Sequence, residues 1–176
     1  MDALIQIGKD VVQWLFGRWT GPKLEVTFDP AGEPHESLVV DAGNQKGWFY
    51  RLRVDNRGRS TAEECQATLG AVVPLEGGRA LERPAVLKWA HEGDYSPVSI
   101  EPGEARKLDL FFLLERDSRM HFYIEMPEVP AGFDRAFQPG AYRVKVRVRA
   151  KAGAGAVATF VLQPGADARA FRISKE

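Results

Sequence analysis

From Tyr142 to Ala150 the chain reads Tyr-Arg-Val-Lys-Val-Arg-Val-Arg-Ala, with apolar and basic residues alternating without a break. A β-strand sends successive side chains to opposite faces, so Tyr142, Val144, Val146 and Val148 line one face. Arg143, Lys145, Arg147 and Arg149 line the other. Such a segment is a half-buried antiparallel strand with one face in a core and one in water. The pattern recurs along the chain, and it constrains the fold class far more tightly than the function.

Period-two alternation predicts strands at Lys23 to Asp29, Trp48 to Asp55 and Glu64 to Val73, with a short one around Val86 to Trp89. Further strands are expected at Arg106 to Leu114, Met120 to Met126, Tyr142 to Ala150 and Val157 to Leu162, and a last one near Ala170 to Ile173. Between them lie turn signals: Asn56-Arg57-Gly58, Gly77-Gly78, Pro102-Gly103, Pro139-Gly140 and Gly153-Ala154-Gly155. Roughly seven to nine short strands without interleaved helices read as an all-β antiparallel sandwich, with a closed barrel as the alternative. Uneven connections, two of them long, favour the sandwich.

A chain of 176 residues suits one well-buried core rather than two. Lysine plus arginine, 24, equals aspartate plus glutamate, 24, so no global attraction to nucleic acid is expected. A single cysteine, Cys65, leaves no internal disulfide, and its phase with Ala67 and Leu69 places it in the core. The start Met-Asp lacks a basic region and a cleavage site of the secretory kind, and no run of about 20 apolar residues occurs. A cytoplasmic protein is expected, with a peripheral membrane location as the second choice.

Residues 2–19 follow a different period. At about 100° per residue, Leu4, Ile7, Val11, Trp14, Leu15 and Trp19 fall with Ile5, Val12 and Phe16 on an arc of roughly 200°. This predicts an amphipathic helix ended by Gly21-Pro22. The expected division is a helix over 1–20 and a sandwich domain over 23–176. Gly8 and Gly17 weaken the helix, so its stability must come from whatever covers the apolar side.

Val54-Asp-Asn-Arg-Gly58 with Thr61-Ala62, then Ile100-Glu-Pro-Gly-Glu104, then Pro139-Gly-Ala-Tyr142, each stand beside an expected strand. This set resembles the bacterial immunoglobulin-like modules, nearest the fibronectin-III-like and cell-adhesion-related (CARDB-type) domains, over roughly residues 48 to 163. The resemblance implies an immunoglobulin-like fold. It says little about function, because that scaffold carries many roles. The long Pro74 to Pro97 connection and the N-terminal helix depart from the pattern.

Two surfaces stand out as candidates. Continuing the alternation through Lys107 to Leu114 puts Leu108, Leu110, Phe112 and Leu114 inward and Phe111 and Leu113 outward. With Phe49 from a neighbouring strand these would form an apolar patch on an outer sheet face, and an apolar outer face implies a cover. The expected cover is the helix, from the same chain or a second copy, with a membrane surface or another protein as alternatives. The basic row Arg143, Lys145, Arg147, Arg149 is a candidate anion patch, weighed against a solvated face paired with acids such as Glu64. No stacking aromatics interleave the row, so nucleic acid is not an expected partner.

No catalytic residue is assigned. His35, His91 and His121 lack metal-ligand spacing, and His91-Glu92-Gly93-Asp94-Tyr95 has no accompanying nucleophile. Neither metal nor cofactor is expected. The loop aromatics Trp89, Tyr95, Phe133 and Phe137 suggest a carbohydrate-binding accessory domain as an alternative. The favoured expectation is a non-catalytic interaction or scaffold module that associates with itself or another protein.

Overall fold

A computed structural model describes residues 20–28, 35–39, 45–78, 80–115, 117–126, 136–165 and 171–176. The segment read as an amphipathic helix, 2–19, lies outside the described residues, as does Phe133. The strands in chain order are β1 Leu24–Phe28, β2 His35–Val39, β3 Gln45–Asn56, β4 Ala62–Pro74, β5 Ala85–Leu87, β6 Val98–Ile100 and β7 Ala105–Leu114. They continue with β8 Asp117–Phe122, β9 Ile124–Glu125, β10 Ala136–Phe137, β11 Tyr142–Arg149, β12 Gly155–Pro164 and β13 Phe171–Lys175. All pairings are antiparallel. β2, β6 and β10 fall in stretches the alternation reads as irregular, because two to five residues carry too few periods to show a pattern.

The strands make two sheets. One has six strands in the order β1-β3-β7-β8-β10, with β2 also on β3. The other has seven in the order β13-β12-β11-β4-β5-β9, with β6 also on β4. One apolar cluster joins them, from Leu24 and Val26 of β1 through Tyr50, Leu52 and Val54 to Val144, Val146, Phe160 and Ile173. β11 shows the alternation in its simplest form: its valines are buried and its four basic residues exposed. Its register runs from Tyr142 opposite Leu162 to Arg149 opposite Gly155 on β12. The turn between them closes with Gly153 N–H donating to the Ala150 carbonyl at 3.1 Å. Gly153 sits at φ 83°, a left-handed conformation glycine adopts without a Cβ penalty.

On one side the sheets are stitched together. The chain leaves β5, hydrogen-bonded to β4, and within three residues bonds to β7 of the other sheet, Asp109 N–H donating to Lys88 O at 3.0 Å and Ala90 N–H to Lys107 O at 2.9 Å. Residues 117–125 cross as well, β8 pairing with β7 and β9 with β5. Trp89 fills this closed side and donates its indole N–H to the Cys65 carbonyl at 3.2 Å. The architecture is two antiparallel sheets packed about one core and joined along that side.

At one end the turn residues of the sequence converge on Asn56, which is 0% exposed. Its amide nitrogen donates to Ser60 O at 2.8 Å and Ile100 O at 2.9 Å. Its amide oxygen accepts from the backbone N–H of Gly58 at 3.0 Å and of Lys23 at 3.1 Å. The Asn56 N–H donates to Glu104 O and its carbonyl accepts from Gly103 N–H. One side chain thus holds the start of β1, the turn after β3 and the end of β6 together. Gly58 is required beside it, since a Cβ there would lie 2.4 Å from the Gly21 carbonyl oxygen.

Candidate interaction surfaces

The outer face of the six-stranded sheet carries a second, smaller apolar cluster of Phe49 and Phe112, with Leu114 and Tyr123 packed against it. Phe49 comes from β3 and Phe112 from β7, directly opposite in register, with ring centroids 5.3 Å apart. The Tyr123 ring stands edge-on to both, at 6.0 Å from Phe49 and 5.6 Å from Phe112. Although this face points away from the main core, Phe49 and Phe112 are each only 8% exposed.

The sequence reading of this face is corrected in its phase. Phe111 and Leu113 are in the main core, not on the outer face, and Phe112 and Leu114 point outward instead. The cause is a β-bulge: Tyr50 pairs with Phe111 and Arg51 with Asp109, leaving Leu110 unpaired. One extra residue inverts every later side chain. Leu108, Leu110, Phe111 and Leu113 therefore all face inward, and Phe111 stacks on Tyr50 at 4.5 Å. Phe49 stays on the outer face, as the alternation in β3 predicts.

Charges rim the cluster. The Arg51 guanidinium lies over the Phe49 ring at 5.6 Å and donates to Asp109 Oδ1 at 2.6 Å. The Lys88 ammonium sits 5.0 Å from the Tyr123 ring, which Tyr95 stacks against at 6.2 Å. His121 stacks on Phe112 at 5.2 Å with its Nε2 3.0 Å from Asp117 Oδ2. Hydrogen bonds from Arg119, helped by His121, hold the Asp117 carboxyl well below the ordinary carboxylate range against the opposing effect of burial. The cluster is an apolar centre within a polar rim.

The outer face of the seven-stranded sheet is different. Arg143, Lys145, Arg147 and Arg149 are all exposed along β11. Glu64, the acid expected opposite them, bonds instead to Lys151 beyond the strand end. Arg143 is held by Glu176, its Nε donating to both carboxylate oxygens at 3.0 and 2.9 Å. That guanidinium holds the Glu176 carboxyl below its ordinary value. Among the described residues Lys145, Arg147 and Arg149 have no ion pair.

The remaining candidates separate. His91 adopts a left-handed φ of 71°, Glu92 faces Arg106 at 3.9 Å, and Asp94 accepts the Ser96 N–H at 2.9 Å, which lowers its carboxyl from the ordinary value. Trp89 is buried, and Phe137 packs edge-on between Phe122 at 5.2 Å and Tyr142 at 5.8 Å. Cys65 is buried with its thiol pushed up to about 11 by burial. Among the described residues no three His, Cys, Asp or Glu side chains gather as metal ligands would, and no helix is long and apolar enough to cross a membrane. No family model matches the chain, and neither a curated protein nor a solved structure matches it.

Proposed function

We propose that this chain is a non-catalytic interaction module on an immunoglobulin-like sandwich, self-associating through its N-terminal segment and the outer aromatic face of the six-stranded sheet. The observation that carries this reading is the near-complete burial of Phe49 and Phe112 on a face turned away from the core. The Tyr123 and His121 rings and the Arg51 guanidinium cover part of this pair, and the proposal adds a cover over the apolar face they frame. Residues 2–19 have the apolar stripe to provide one, and the reach. As a helix, those 18 residues would span about 27 Å. The seven residue steps along β3 from Asn56 back to Phe49 cover about 24 Å. The segment joins the sandwich at the Asn56 end, where Gly21 O accepts from Arg59 N–H at 3.3 Å. Exchange of such a segment between two copies is a low-cost route to a dimer.

The immunoglobulin-like assignment is supported by strand order and by one tyrosine. β1, β3 and β7 take the places of A, B and E, and β4, β11 and β12 those of C, F and G. Tyr142, at the start of β11, donates its hydroxyl to the Gln138 carbonyl at 2.7 Å, the bond of a tyrosine corner.

The test compares the full chain, a version beginning at Thr20, and Phe49→Ser/Phe112→Ser by sedimentation and by amide exchange of residues 4–16. A dimer confined to the full chain, with 4–16 protected only there, supports the reading. A monomer with 4–16 protected places the cover within one copy and overturns self-association. Unprotected 4–16 in the unaltered chain overturns docking on this face.

A further inference from the structure

On the opposite side of the molecule, we propose that the outer face of β11 binds an extended acidic peptide, its alternate carboxylates lying along Lys145, Arg147 and Arg149. Same-face residues of a strand recur about every 6.8 Å, so the row is a straight rail of cations with that spacing. An extended peptide with Asp or Glu at every second position repeats its carboxylates at the same interval.

Three observations select this occupant. The cations stand in single file: the neighbours opposite them are Val157 and Thr159 on β12 and Thr68 and Ala71 on β4, all uncharged. A single file matches one linear chain, whereas a membrane surface or a duplex engages charge spread in two dimensions. Val157 is 55% exposed beside the rail, an aliphatic ledge for the intervening side chains of a peptide and no platform for a stacked base. Finally, the row already holds a carboxylate at one end. Glu176 bonds Arg143 in a forked pair, Nε to both oxygens and Nη2 to Oε1 at 2.9 Å. The next three cations offer the same chemistry with no acid in place.

The experiment uses the full chain and two labelled heptapeptides of one composition, Glu-Thr-Glu-Val-Glu-Thr-Glu and Glu-Glu-Glu-Glu-Thr-Thr-Val, read by fluorescence anisotropy in low salt. The alternating peptide is expected to bind at least several-fold more tightly than the blocked one. Its Kd should rise roughly tenfold on going to high salt, as exposed charge contacts are screened. Arg147→Glu should abolish binding, while Lys107→Glu, the same charge change at an exposed site on β7 of the six-stranded sheet, should leave it intact. Equal binding of both peptides, or unchanged binding by Arg147→Glu, overturns the proposal. Tighter binding of oligothymidylate or of phosphatidylserine vesicles than of the alternating peptide overturns it in favour of those anions.

Discussion

At the scale of single residues, Asn56 shows how a polar side chain can organise a β-sandwich end. Both amide hydrogens and the amide oxygen are engaged with backbone from three segments, out of contact with solvent. Asn56→Ala leaves those backbone groups unpaired, and each such loss costs about 1–3 kcal/mol. The expected destabilisation is about 3 kcal/mol or more, seen as a lower urea midpoint. Asn56→Asp should be no substitute, because a carboxylate cannot donate to Ser60 O and Ile100 O. Cys65 gives a second prediction. With its thiol raised to about 11 by burial, the thiolate is scarce at neutral pH and sterically closed off. Ellman's reagent should leave it unreacted in the folded protein at pH 8 and label it fully in denaturant; rapid labelling of the folded chain would refute this placement.

At the scale of elements, β7 decides which aromatic groups reach which surface. Its bulge at Leu110 keeps Asp109 outward against Arg51 while turning Phe111 into the core and Phe112 out. Phe111→Ala should cost about 3–5 kcal/mol, as for other core phenylalanines, and Phe112→Ala distinctly less. Chemical denaturation of the two variants measures the order. An unbroken alternation through β7 requires the opposite order. The phase was not legible because Leu110 to Leu114 is a run of five apolar residues with no polar neighbour to mark a face. In β11 every second residue is charged, and there the face of each of Arg143, Lys145, Arg147 and Arg149 was readable at once.

At the scale of the whole molecule, stability depends on pH through the rim of the outer aromatic cluster. Asp117 is held below its ordinary value in the folded state, mainly by Arg119, so the unfolded chain binds its proton at a higher pH than the folded one does. Its contribution is complete above the ordinary carboxylate range near pH ~4 and is lost as pH falls through the lower folded value. Asp117→Asn should therefore lower stability at pH 7 and close the gap to the unaltered protein as the pH approaches 2. Urea midpoints measured across that range test it, and a gap that stays constant would refute the linkage.

The sequence alone determined the all-β class, most strands, the turns around Asn56 and Gly153, the burial of Cys65 and the outward row on β11. Each of these follows from a two-residue period or a turn residue, which are local properties of the chain. Only the tertiary structure decided the bulge in β7, the crossing of 85–90 and 117–125 between sheets, and the engagement of Glu64 with Lys151 and Glu176 with Arg143. Those depend on which strands become neighbours and in what register, and that is set by burying all the apolar faces at once, a condition no short window of sequence contains.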